Sequence, residues 1–332
     1  MKLFFTVQKF IKCQLEVFAR IFLVLFLMIL SACTHDPTKV YQTLPVQTTG
    51  SSANRADDSA AAVKSSVVHS IVPILISEKT VILDARPAFD FTVSHINGAL
   101  PVRPEDFTQR EKSFLGLLEK DLFFHTRRLA RMGITPESSV VVVGRGTQGQ
   151  GEEGRVAWTL KYLGVRDVRF ASMSYFHRPL SSLEAPPPKS LPIWKPVTDK
   201  SLLIEKKDLS NLITLKKKQN ETVVFLDVRE KPADFQFENI KNNSKLLREC
   251  KDQISNMKLI NISWKKFFDE RGLSLMPTEL LSLIPAASRA NTKVILISNQ
   301  GVESGAVTMA LRELGMQSAA NYSGGFLELG AL

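Results

Sequence analysis

Apolar and polar positions change character several times along the chain. Ile21 to Leu30 is an unbroken apolar run, preceded by Lys2, Lys9, Lys12 and Arg20. As a helix it would rise about 15 Å, against a hydrocarbon core of about 30 Å, so it is short for a membrane span. Its proportions are those of a signal-peptide core. From Thr34 to about Ser66 the residues are mostly small and polar. Such a stretch cannot bury enough surface to fold and reads as a flexible tether. Well-patterned sequence begins near Val67. Short apolar runs rich in β-branched residues, Val140–Val143 and Val294–Ile297 among them, lead through turns into helical patterns. Strands that are apolar throughout are buried on both faces. Their alternation with helices predicts an α/β fold with mainly parallel sheets flanked by helices.

The pattern occurs twice. Leu83-Asp84-Ala85-Arg86 recurs 143 residues later as Leu226-Asp227-Val228-Arg229, and Leu160–Gly164 recurs 151 residues later as Leu311–Gly315. A repeat of this length means duplicated domains, not a solenoid. The expected organisation is a leader over 1–32, a tether over 33–66, a first domain over 67–184, a proline-rich linker over 185–200 and a second domain over 201–332.

Composition narrows the function classes. Hydrophobic residues make up 44% and charged residues 23% of the 332 positions, which fits a folded globular protein. The 3 Cys exclude a disulfide scaffold and a cysteine-rich zinc domain. No pairing of His and Cys has ligand-like spacing, so no metal and no cofactor are expected. The net charge of +10 favours anionic partners.

Leu30-Ser31-Ala32-Cys33 resembles a bacterial lipobox: an apolar residue, two small ones, then Cys. The small residues admit the peptidase, and the thiol receives the diacylglyceryl group. Cleavage before Cys33 would remove Lys2, Lys9, Lys12, Arg20 and Glu16 and leave 300 residues with a net charge of +7. Two or more acyl chains anchor stably. The expectation is a lipid-anchored protein of the bacterial cell envelope, facing the periplasm. Thr34, standing where an Asp would signal retention, favours the outer membrane over the inner. The partners expected are membrane lipid and either an envelope protein or a small anion. The compartment excludes nucleic acid.

Val81–Arg86, Phe91 and Ser94-His95-Ile96-Asn97-Gly98-Ala99 resemble the first signature of rhodanese domains, and Tyr322–Leu329 resembles their closing motif. The layout resembles the tandem thiosulfate or mercaptopyruvate sulfurtransferases. The resemblance implies two rhodanese-like domains and, in active members, a cysteine opening the second-domain loop. There backbone N–H groups and a helix N-terminus stabilise an anionic sulfur species carried as a persulfide. Here that loop is Ser298-Asn299-Gln300-Gly301-Val302-Glu303-Ser304, expected to run into a helix from Gly305 to Leu314. Aligning Gly301 with the family's loop glycine puts Ser298 at the nucleophile position; Gly144 holds the corresponding place in the first domain. A hydroxyl cannot form a persulfide, so no catalytic residue is assigned. Glu303 opposes an anionic donor. The 298–304 loop is left as a candidate anion or peptide pocket.

Other residues have plainer readings. Asp84, Arg86, Asp227 and Arg229 are expected to pin loops to their sheets, and His95 to be a hydrogen-bonded structural residue. The glycine-rich stretch 144–154 lacks the Gly-Lys-Ser/Thr ending of a phosphate-binding loop, and Glu152 and Glu153 would repel polyphosphate. It is expected to be a mobile surface loop. Cys250 is the remaining thiol once Cys13 is removed and Cys33 is acylated. Three readings stand: a binding or scaffolding module without catalysis, a sulfurtransferase with an unorthodox carrier such as Cys250, and a structural lipoprotein whose pockets bind nothing.

Overall fold

Runs that are apolar at nearly every position form the centres of two sheets. The computed structural model describes residues 68–69, 73–109, 116–177, 180–182, 190–217, 223–231, 252, 255–284 and 291–329. The first half contains β1 (Val68–His69), β2 (Val81–Asp84), α1 (Ala88–Val93), β3 (His95–Ile96) and β4 (Leu100–Pro101). It continues with α2 (Leu122–Arg131), β5 (Ser139–Gly144), α3 (Glu152–Leu163), β6 (Asp167–Ser172) and β7 (Leu180–Ser181). The second half contains β8 (Leu203–Ile204), α4 (Lys206–Lys217), β9 (Val223–Asp227), β10 (Ile260–Asn261) and β11 (Leu275–Met276). It ends with α5 (Thr278–Leu283), β12 (Lys293–Ile297), α6 (Val302–Glu313), β13 (Ala319–Tyr322) and α7 (Gly325–Leu329).

The first sheet has the order β4-β2-β5-β6 and the second β10-β9-β12-β13-β8. Every pairing within these two sheets is parallel. β5 lies between β2 and β6 as β12 lies between β9 and β13, so Val140–Val143 and Val294–Ile297 occupy matching central strands. One pairing crosses between the halves: β1 runs antiparallel to β11, with Val68 opposite Met276.

Residue alternation along the central strands explains the layering. Leu83, Val140 and Val142 of the first sheet and Leu226, Val294 and Leu296 of the second belong to one apolar cluster. Val156, Ala157 and Leu160 of α3 and Ala306, Val307 and Ala310 of α6 fill the same cluster. The two helices therefore lie in a core that the inner faces of both sheets share. On the outer faces, Ile82, Val141 and Val143 pack with Phe91 of α1, and Phe225, Ile295 and Ile297 pack with Leu209 of α4 and Phe326 of α7. Close approach of the central helices needs a residue without a side chain: a Cβ on Gly154 would lie 2.5 Å from Ala306 Cβ.

Polar residues at the strand ends fix the loops. Arg86 grips the buried Asp84 through Nε and Nη2 and donates from Nη2 to the Ser94 carbonyl at 2.6 Å. Arg229 grips Asp227 in the same way and lies 4.2 Å from the centre of the Phe326 ring. His95 is buried, stacked on Phe91 at 4.0 Å, with Nδ1 2.8 Å from the Phe91 carbonyl. Of the 185–200 linker, residues 185–189 lie outside the described residues. The rest follows the first half, with Leu191 N–H donating to Ala130, Trp194 Nε1 to Ile134 and Asp199 N–H to Tyr162.

Candidate functional site

The loop after the second half's central strand is short and enclosed. β12 ends at Ile297, Ser298–Gly301 turn, and α6 begins at Val302. The helix thus starts three residues before the expected Gly305. Gly301 is its N-cap at φ 72°, and a Cβ there would lie 2.2 Å from the Ser323 carbonyl oxygen. Gly305 falls inside the helix, where a Cβ would lie 3.0 Å from Arg155 Cδ. Val302, Glu303 and Ser304 therefore belong to the helix's first turn.

Ser298 is 0% exposed. Its Oγ lies 3.0 Å from Ser304 Oγ, which donates to Asn321 Oδ1 at 2.7 Å. Asn321 Nδ2 in turn donates to the Gly301 carbonyl at 3.1 Å. The loop carbonyls of Ser298 and Asn299 accept from Phe326 and Leu327 at the start of α7. Asn299 Oδ1 accepts from Arg229 at 3.3 Å, while Gln300 is half-buried. Glu303 is half-buried beside this network. Burial pushes its carboxyl above the usual carboxylate range and Glu152 adds to that, while Ser298 and Arg229 pull the other way.

The first-half loop is longer by four residues, and its interior is occupied. Gly146–Gln148 form a 3-10 turn, and α3 begins after Gly151 at φ 81°. The expectation of a mobile surface loop is corrected here. Glu153 is only 4% exposed, and one carboxyl oxygen, Oε1, accepts from the Gly146 N–H at 2.9 Å. Burial pushes this carboxyl up to about 8, so it enters the interior neutral instead of repelling from the surface. A Cβ at Gly144 would lie 2.1 Å from Glu153 Oε2. The place of a side chain at residue 144 is filled by the glutamate, and glycine is what fits. Arg145 Nη2 pairs with Glu152 at 3.2 Å.

Each half covers the other's loop. A Cβ at Gly116, at φ 62°, would lie 1.8 Å from the Gln300 carbonyl oxygen, so the Gly116 turn rests directly on the second-half loop. Reciprocally, a Cβ at Gly146 in the first-half loop would lie 3.7 Å from Gly272 Cα, and Ser172 N–H at the end of β6 donates to the neighbouring Arg271 carbonyl at 3.0 Å. Arg155, fully buried in α3, holds the first contact in place. Its Nη1 donates to the Gly301 carbonyl at 2.7 Å and its Nη2 to the Gly116 carbonyl at 2.6 Å. Its guanidinium lies 4.5 Å from the centre of the Trp158 ring. Burial lowers its pKa to about 9.

Sequence reasoning missed Arg155 and the inward turn of Glu153. A signal for the glutamate was present: Glu153 and Glu303 each stand two residues after the glycine that opens their helix. Cys33 and Cys250 lie outside the described residues, as do the leader and the tether. Among the described residues no group of three or more His, Cys, Asp or Glu could hold a metal ion. Among them, too, no helix is long and apolar enough to cross a membrane.

Two parallel α/β halves, each with a loop at the C-terminal end of its central strand and facing the other half, define a tandem α/β protein. The rhodanese-like domain model matches residues 73–176 and 211–331, and the chain belongs to the rhodanese-like family. No curated protein matches the chain in sequence. Among solved structures it is similar to YnjE at 17% identity and TM-score 0.58, over 76% of this chain and 60% of that one. It is similar to wild-type EanB at 15% identity and TM-score 0.59, over 77% of this chain and 63% of that one. It is also similar to SseA from Escherichia coli, a 3-mercaptopyruvate sulfotransferase, at 16% identity and TM-score 0.52, over 75% of this chain and 92% of that one. The chain thus spans less than two thirds of YnjE and EanB, and at these identities the likeness is one of fold.

Proposed function

We propose that the protein is a non-catalytic, lipid-anchored binding or scaffolding module of the bacterial cell envelope, built on two rhodanese-like domains. The observation that carries the reading is Ser298. It heads the loop where the family resemblance puts a sulfur-carrying cysteine, and it is 0% exposed with its hydroxyl committed to Ser304. A hydroxyl does not form a persulfide and is far less acidic than a thiol. Burial adds a second obstacle, because it restricts a sulfur donor's approach to the oxygen. Glu303, in the first turn of α6, also supplies no positive charge to hold an anionic donor. An EanB variant carries a cysteine persulfide together with ergothioneine; serine at the loop head supports a departure from that chemistry. The anchor is Cys33, with membrane lipid as its partner and the periplasmic face of the outer membrane as its place.

The test is thiosulfate–cyanide transfer by the purified full chain. In such a reaction the outer sulfur bonds to a thiolate as sulfite leaves, and cyanide then removes it as thiocyanate. The wild type is expected to give no turnover above background, since losing a covalent nucleophile costs about 10⁶-fold in a hydrolase. Ser298→Cys is expected to restore part of the rate, and Ser298→Cys with Glu303→Arg more. Robust wild-type turnover that Cys250→Ala abolishes would replace this reading with a sulfurtransferase. The anchor is checked in the same cells, where Cys33→Ser should leave unprocessed or soluble protein. Normal maturation and membrane fractionation of that variant would refute lipidation.

A further inference from the structure

We propose that the folded body docks on the membrane that holds its anchor, through an apolar surface on the outer layer of the first half. The occupant rests on the lipid anchor at Cys33 proposed above, to which this surface adds a second, non-covalent contact.

The surface arises from the way the first sheet is covered. Ile82, Val141 and Val143 on its outer face pack with Ile74, Phe91 and Ile96, and Ile76, Tyr175 and Phe176 pack partly buried against them. Three thin pieces make this cover: residues 74–76, α1 with β3, and the turn 173–176 that leads towards β7. Such pieces are too thin to bury all their side chains. Ile74, Phe91 and Ile96 are buried, while Leu75 is 80% and Phe89 76% exposed, and Val93 and Leu180 are more than half exposed. Phe89 and Val93 stand four apart on α1 and share one face. The Ser94 carbonyl at the end of α1 is held by Arg86, and Ile96 of β3 pairs with Leu180 of β7. Leu75 and Leu180 flank the same two residues, Phe176 and His177, from neighbouring grooves. The four exposed side chains thus belong to one corner of the molecule.

The second half shows no counterpart. Among the described residues, none of the exposed large apolar side chains lies on α4 or α7, which cover its outer face. Exposed apolar residues are ordinary when scattered; a group of them marks a contact surface.

The path of the chain points to the occupant. Val68 of β1 pairs with Met276 of β11, and both strands lead to this corner. Leu75 follows Val68 by seven residues, and Leu273, just before β11, packs against the same outer cluster. From Cys33 to Val68 the chain runs 35 residues, which span at most about 120 Å at full extension. A body held within that distance of a bilayer meets it at an effective concentration far above that of free protein. A few apolar side chains entering the headgroup boundary then suffice to hold it there. Leu75, Phe89, Val93 and Leu180 are of that kind, and each, when fully buried, shifts the balance by about tenfold or more.

The test places the acylated chain on vesicles of phosphatidylethanolamine and phosphatidylglycerol. An environment-sensitive fluorophore is attached at Thr92→Cys on α1 or, for comparison, at Lys207→Cys on α4, both in a Cys250→Ser background. On vesicles the label at 92 is expected to brighten and to be quenched by spin-labelled lipid, and the label at 207 to do neither. Leu75→Glu with Leu180→Glu, at exposed positions that leave the core untouched, should lower the ratio of docked to free protein by about tenfold or more. Flotation with the vesicles should stay unchanged. The mature chain with a histidine tag in place of Cys33, held on nickel-chelating lipid, repeats the measurement. It reads the surface even where Cys33 carries no lipid, so failure of the anchor and failure of docking are told apart. A label at 92 that stays in water on both kinds of vesicle overturns the proposal. Equal quenching at 92 and 207 overturns it too, as does a docked fraction indifferent to the two glutamates. Brightening without vesicles, together with a dimer in sedimentation, would overturn the membrane as occupant and assign the surface to a second copy of the chain.

Discussion

Glu153 and Glu303 hold the same place in the two halves, yet one is sealed in and the other half open. The difference has a consequence for stability. The Glu153 carboxyl rises from 4.5 to about 8 on folding, so the native state holds its proton longer than the unfolded chain does. Its contribution is complete below about 4.5 and is lost progressively up to about 8, beyond which it is level. Glu303 and Glu313, also pushed up by burial, add slopes of the same sign. Glu153→Gln keeps the shape and removes the proton. We expect it to lessen the stability lost between pH 5 and pH 8 by about 3 kcal/mol, measured as urea midpoints. An unchanged pH dependence would show that the carboxyl is not held neutral. At this scale the sequence was partly legible. The Ser298 position could be read from its spacing to Gly301, because that spacing is local. Its enclosure could not, because Asn321 and Phe326, which close the loop, come from later elements. Glu153 was misread as a surface charge for the same reason: burial is set by partners distant in sequence.

Among the elements, the crossing of α3 and α6 has the tightest geometry. Adding only a methyl at Gly154 places it 2.5 Å from Ala306 Cβ. In an exposed helix Gly→Ala gains about 1 kcal/mol. Here the helices must part, and overpacking costs about 1–3 kcal/mol. Gly154→Ala is therefore expected to destabilise despite its better propensity, with the midpoint restored by Ala306→Gly in the same chain. Two independent, additive effects in that double-mutant cycle would show that the pair does not touch. The central strands were readable, since four or five successive buried apolar residues have few alternatives. The start of α6 was not. Gly305 looked like a helix opener, but it is a helix-interior glycine that leaves space for Arg155, a residue 150 positions earlier. Likewise the long glycine-rich loop suggested mobility, whereas the Glu153 carboxyl fastens it from inside.

Across the whole molecule, the duplication suggested two self-contained bodies on a linker. The repeat itself was legible in the paired motifs, but the way the copies associate was not. Both halves direct one sheet face into a common cluster, and α3 and α6 are buried nearly all round instead of along one stripe. Neither half can close its core without the other. We expect residues 63–332 to unfold in one calorimetric transition, with van't Hoff and calorimetric enthalpies equal. Two resolved transitions would mean that the shared core is not cooperative. The β1–β11 pair bears on mechanics. Any pull arriving along the backbone from residue 67 meets two residue pairs first, Val68 with Met276 and His69 with Leu275. The load therefore enters the second half's β11 before it can reach β2 of the first. Under tension these two rungs are the fuse, set to open while both parallel sheets are still intact.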